Sequence, residues 1–152
     1  MADQKGRKLD QRKTDVLAAL NKQADLWLAT ADMTGRPHLI AISAWWDGSK
    51  VIVATTGGSR TARNLESTRT ARIAIGAPDD VMVIDATLSG SPTPVHADSE
   101  LAKGFAAAVG WDPREISDDW AYFTLMPSRI QAYRGYDELS GRDVMRDGRW
   151  LA

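Results

Sequence analysis

The residues best suited to chemistry in this chain lie in Val51–Leu65, VIVATTGGSRTARNL. A strand-like apolar run breaks at Thr55-Thr56-Gly57-Gly58-Ser59, and Arg60 and Arg63 follow one helical turn apart. Ser59 has the side chain of a helix N-cap, so the amides behind it are unsatisfied donors at the positive end of a helix dipole. Arginines three positions apart share a helix face, and each can fork onto two phosphate oxygens. Hydroxyls, amides and guanidinium groups converging on one turn make an anion cradle, above all for phosphate. A solvated helix with two surface arginines is the plainer reading of the same residues. The spacing matches neither a P-loop nor a dinucleotide fingerprint.

Few other residues offer reactivity. Arg36-Pro37-His38 opens a strand, where His38 is either a proton donor or polar contact to a ring ligand, or simply a half-exposed strand residue. His96 sits in a loop without an evident partner and reads as surface. Asp79-Asp80 and Asp118-Asp119 are sequence neighbours in loops, where solvation or capping explains them better than acid–base catalysis. No nucleophile-elbow pattern is present. With 0 cysteines, disulfides, thiol catalysis and cysteine metal sites are excluded. The 2 histidines lack ligand spacing for structural zinc. A phosphate grip without a reactive side chain points to a cofactor that carries its own chemistry.

Bulk properties narrow the partners. The 152 residues suit one domain, with residues 1–8 expected to be a disordered tail. Lys+Arg number 19 against 20 Asp+Glu, so no general attraction to nucleic acid or to an anionic membrane is expected. No stretch approaches the roughly 20 apolar residues of a membrane helix. The basic start, MADQKGRKLDQRK, lacks a following apolar run of signal-peptide type, so a cytoplasmic location is expected.

The elements that must position the turn follow from periodicity. Leu9–Ala24 predicts a short amphipathic helix through Val16, Leu17 and Leu20. Strands are predicted at Leu26–Thr30 and Pro37–Trp46 around a turn at Asp32–Arg36, and at Lys50–Thr56 after the hairpin signal Asp47-Gly48. A helix over Arg60–Ser67 and strands over Arg72–Ala77 and Val81–Leu88 come next, the latter ending at Leu88 or continuing through Ser89-Gly90-Ser91 to Val95. Asp98 and Gly110 bracket a helix over Ser99–Val109. Tyr122–Met126 and Ile130–Tyr133 read as two strands or one bent at Pro127. The polar tail from Gly135 ends in Arg149-Trp150-Leu151, an apolar anchor. Among the 6 tryptophans, adjacent Trp45 and Trp46 must face opposite ways, whereas Trp27, Trp111 and Trp120 read as core or loop anchors. Six or seven strands without β-α-β alternation indicate an α+β fold, and a small antiparallel barrel hides the strand edges.

The order of these elements, from about Ala24 to the C-terminus, resembles the pyridoxamine 5′-phosphate oxidase-like, FMN-binding split-barrel superfamily. The resemblance rests on Leu26–Thr30 with Thr34-Gly35-Arg36-Pro37-His38, on Trp46-Asp47-Gly48 with Val51–Thr55, on Ser59-Arg60-Thr61-Ala62-Arg63-Asn64-Leu65 and on Thr70–Ile75. Short length and the tail Glu138–Trp150 are similar to small actinobacterial members, many of which use the deazaflavin coenzyme F420. Thr61 stands where the family's phosphate segment has lysine, which argues against vitamin B6 oxidation.

The resemblance implies a six- to seven-stranded antiparallel split β-barrel with flanking short helices, paired as a homodimer with cofactor sites at the subunit interface. It places Thr55, Thr56, Ser59, Arg60, Thr61, Arg63 and Asn64 around the phosphate. Arg36, Pro37, His38, Leu39 and Ile40 fall along the ring edge, and Trp150 approaches the site, from the same chain or its partner. The implied activity is F420-dependent hydride transfer to a small conjugated or heteroaromatic substrate. An FMN flavoprotein and a non-catalytic carrier of flavin, deazaflavin or haem are the alternatives.

Overall fold

A computed structural model describes residues 6–22 and 24–152. Helix α1 (Leu9–Lys22) leads into β1 (Asp25–Ala31), β2 (Pro37–Trp46) and β3 (Val51–Thr56), then α2 (Arg60–Thr68). There follow β4 (Thr70–Ala77), β5 (Asp80–Leu88), the short β6 (Thr93–Pro94) and α3 (Ser99–Val109). The chain ends with β7 (Trp120–Tyr133), β8 (Asp143–Arg146) and β9 (Arg149–Trp150). Strands β3, β2, β1, β4, β5 and β7 pair in that order, and β7 returns to pair with β3. The result is a closed antiparallel barrel of six strands with β6 and β8 added to β7, β9 added to β8 and three short helices outside, an α+β fold as expected. Closure leaves the six strands without free edges.

Alternation builds the core. Leu26, Leu28 and Thr30 point inward from β1, meeting Val53, Ile73, Ile84, Phe123, Leu125 and Ile130 from the other strands. Trp46 joins this core, and its neighbour Trp45 turns outward beneath α3, where Gly104 lies so close that a Cβ would overlap the indole ring. Trp27 departs from the expected anchoring role: it is 51% exposed on the outer face of β1, because its neighbours Leu26 and Leu28 take the inward positions.

The predicted boundaries of β2 and α3 match the observed ones, and Asp98 caps α3 by accepting the Leu101 amide. The last predicted strands are one, with a bulge at Ser128 opposite Asp85 and Ala86; Pro127, having no N–H, tolerates the interruption. Val95 is not part of β5; Thr93 and Pro94 pair with β7 instead. The tail folds into the β8–β9 hairpin, and Trp150 packs against the core with Lys13 Nζ 5.2 Å from its ring centroid. Of the tail expected over residues 1–8, residues 1–5 lie outside the described residues, while Arg7 is held by Glu138. Among the described residues no helix is long and apolar enough to cross a membrane.

Candidate cofactor site

Strand direction gathers the candidate residues at one rim. β2 and β3 are antiparallel, so the start of β2 at Pro37 and the end of β3 at Thr56 lie at the same end of the barrel. The β1–β2 hairpin therefore stands beside the first turn of α2. Between them runs a groove of about 500 Å³ lined by Asp32, Met33, Thr34, Arg36, Arg60, Arg63, Asn64 and Ser67. Asp32 builds the hairpin side: its carboxylate accepts the Thr34 hydroxyl at 2.6 Å and the Thr34 and Arg36 amides at 2.9 and 3.0 Å. Those bonds, the Thr34 hydroxyl first, hold the Asp32 carboxyl below its ordinary pKa, so it stays ionised as a structural acceptor.

The helix side is set by Ser59, whose Oγ accepts the Ala62 amide at 3.1 Å and the Thr55 hydroxyl at 3.0 Å. Both acceptances leave the Ser59 hydroxyl proton free for an incoming anion. The Arg63 amide begins the helical ladder on Ser59 O. The amides of Gly58, Arg60 and Thr61 have no partner among the described residues. Asn64 is buried and donates from Nδ2 to Thr30 Oγ1 at 3.1 Å, tying α2 to β1.

Arg36, Arg60 and Arg63 share a property that sets the groove apart. Among the described residues none of their guanidinium groups meets a carboxylate or carbonyl, and of the remaining arginines only Arg149 is alike. The others are engaged, as Arg7 is with Glu138, Arg72 with Asp85 and Arg69 with the Leu88 carbonyl. Three guanidinium groups from two elements outnumber the one ionised carboxylate in the lining, Asp32, and leave the groove net positive.

The expected site residues divide accordingly. Arg36, Arg60, Arg63 and Asn64 line the groove, with Thr55 and Ser59 at its turn. Thr56 is taken up in the sheet opposite Trp120. Thr61 is 2% exposed and faces the interior, so a residue here reaches the groove only through its amide unless the helix start shifts. Pro37, His38, Leu39 and Ile40 pair with Ala31 through Leu28 of β1 and do not line the groove; His38 and Ile40 lie on the inward face, Pro37 and Leu39 outside. Trp150 belongs to a separate hollow of about 570 Å³ with Arg146, Asp147, Arg149 and Leu151, so within one chain it does not join the arginines. Asp32, Met33, Thr34 and Ser67 were not anticipated. Ser67 shares the Arg60–Arg63–Asn64 face by helical spacing, and Asp32-x-Thr34 is an Asx-turn pattern, so both carried a readable signal.

A family model described as pyridoxamine 5′-phosphate oxidase matches residues 13–134, and the chain belongs to this family. Its fold recurs in solved structures of low sequence identity. One titled F420 reductase is 17% identical, with a TM-score of 0.63 over 74% of this chain and 93% of the other. The haem storage protein HutZ from Vibrio cholerae is 23% identical, with a TM-score of 0.62 over 82% and 96%. A putative pyridoxamine 5′-phosphate oxidase from Listeria innocua is 15% identical, with a TM-score of 0.64 over 79% and 96%. No curated protein matches the chain.

Proposed function

We propose that the protein is an oxidoreductase that binds the deazaflavin coenzyme F420 and reduces a small conjugated or heteroaromatic substrate. The observation that carries this reading is the groove formed by Arg36, Arg60 and Arg63. A single phosphate is already served by the Ser59 hydroxyl, the free amides and one arginine. Three guanidinium groups along a groove of about 500 Å³ suit a ligand with further anionic groups beyond its phosphate. F420 carries a phosphodiester extended by carboxylates, whereas FMN ends in one phosphate.

The protein's part in such a reaction is to bind and to orient. Ser59, Arg60 and the Gly58, Arg60 and Thr61 amides would hold the phosphate; Arg63 and Arg36 would hold the more distant anions. When bound, the cofactor supplies the hydride. FMN is the second reading, supported by the Ser59 hydroxyl, the unpartnered amides and Arg60, a donor set that suits a phosphate monoester. Titration with both cofactors separates the two: micromolar F420 binding with FMN at least tenfold weaker supports the first, and the reverse order supports the second.

A homodimer is part of this proposal. Trp27 pairs with Ala41 and Ala74 on the outer surface, next to Ala29 and Leu39, and Leu39 is 61% exposed. Among the described residues no helix covers this apolar face, which continues into the β1–β2 hairpin at the groove. A second copy seated there would close the cofactor cleft and exclude water from it.

A further inference from the structure

One carboxylate stands among the arginines of the groove. Asp32 lines the same hollow as Arg36, Arg60 and Arg63, and its charge opposes any anion that enters. The Thr34 amide, the Thr34 hydroxyl and the Arg36 amide all reach one of its oxygens, Oδ1, at 2.9, 2.6 and 3.0 Å. Dipoles aimed at that oxygen offset part of its charge.

The same bonds fix where Arg36 leaves the hairpin. β1 ends at Ala31, opposite Pro37, so residues 32–36 form a loop beyond the sheet ladder. Within it the Asp32 amide donates to Arg36 O at 3.2 Å and the Gly35 amide to Asp32 O at 3.0 Å. Gly35, at φ 87°, turns the chain back through the left-handed region. The Arg36 amide has its partner in Asp32 Oδ1. Below the loop, Asn64 Nδ2 donates to the buried Thr30 Oγ1 at 3.1 Å and pins the base of the hairpin to α2. The groove therefore has a buried tie at the hairpin base and an exposed one at the tip. The buried tie sets the hairpin against α2, and Asp32 sets the course of the loop that carries Arg36.

We propose that Asp32 is the positioning residue for Arg36: it holds the hairpin's cation in the groove with the two of α2, and so favours ligands with anionic groups beyond one phosphate. This rests on the anion-binding reading of the groove given above. An arginine on a loose loop loses backbone and rotamer freedom on meeting an anion, whereas on a fixed loop the backbone share is already lost in folding. That pre-organisation outweighs the repulsion from one exposed and screened carboxylate. The carboxylate strengthens anion binding through the loop it builds, opposite in sign to its direct field.

Titrating variants with F420 and with FMN separates the two effects. Asn keeps an acceptor oxygen for the same donors and removes the charge, whereas Ala removes both. Asp32→Asn should bind F420 as tightly as wild type, or up to ~5-fold more tightly. Asp32→Ala should bind F420 ~10-fold more weakly, as Arg36→Ala should, with FMN affinity kept within ~2-fold. In an Arg36→Ala background Asp32→Ala should cost nothing further, because no guanidinium is left to place. F420 affinity at or above wild type in Asp32→Ala means that the carboxylate acts only through its charge, and overturns the proposal. An equal loss in Asp32→Asn overturns it as well, and so does equal weakening of F420 and FMN in Asp32→Ala, the mark of general damage to the hairpin. A wild type without F420 binding, or an Arg36→Ala protein that binds F420 like wild type, removes the reading of the groove and the role of Asp32 with it. Weakened binding in Arg36→Ala with unchanged binding in Asp32→Ala removes the positioning role alone.

Discussion

Arg60 is uncommitted in the fold, which separates its effects on binding from those on stability. Replacing Arg60 by Ala should weaken cofactor binding by about 1.5–3 kcal/mol, the worth of a charge-assisted hydrogen bond, with an unchanged melting temperature. An unaltered affinity would remove the phosphate assignment. Asn64 should behave in the opposite way. Its bond to Thr30 is buried, so Asn64→Ala should lower stability by about 1–3 kcal/mol in denaturant melts, by leaving the Thr30 hydroxyl unpaired. Ser59, Arg60 and Arg63 were legible in the sequence because capping and helical spacing are local rules. Thr61 was not. Its inward orientation depends on how α2 lies against the barrel, which no residue within α2 reveals.

At the level of elements, the tail is tied down by contacts remote in sequence. Glu138 is buried and accepts from the Arg7 amide at 2.6 Å, from the Arg7 guanidinium and from the Arg134 amide at 2.9 Å. Arg7 also reaches Asp15 of α1, and Arg134 reaches Asp80 of β5. The Arg7 side chain chiefly, then the Arg7 and Arg134 amides, overcome the cost of burial and lower the Glu138 pKa from 4.5 to about 2. A carboxyl depressed in the folded state stabilises above its unfolded pKa. This contribution should be complete above pH ~5 and disappear as pH falls from about 4.5 towards 2, amounting to roughly 3 kcal/mol. Stability measured against pH in Glu138→Gln should lack that acid limb; an identical limb would refute the linkage. Helix α3 was legible from Asp98 and Gly110, which act within their own segment. The β8–β9 hairpin was not, because its strands are too short and too polar for alternation to show, and its anchors lie on α1 and β7.

For the whole molecule, closure of six strands puts the groove and the Thr55–Ser59 turn at one rim. The barrel was legible from the succession of hairpins, since Asp47-Gly48 and the alternating strands specify antiparallel neighbours. The face that carries Trp27 was not, because an isolated strand does not show which of its two faces finds a helix. Trp27→Asp should convert the proposed dimer to a monomer in sedimentation experiments and weaken cofactor binding, with the barrel still folded. A Trp27→Asp protein that stays dimeric, or a wild type that is monomeric, would move the subunit contact elsewhere or abolish it.

The most direct measurement is a side-by-side titration of the purified protein, expressed in a host without deazaflavin, with F420 and FMN. The three-arginine groove predicts a colourless protein that binds F420 at micromolar concentration and FMN at least tenfold more weakly, with Arg36→Ala and Arg63→Ala narrowing that difference. A yellow protein that retains FMN through purification, or FMN binding as tight as F420, would contradict it.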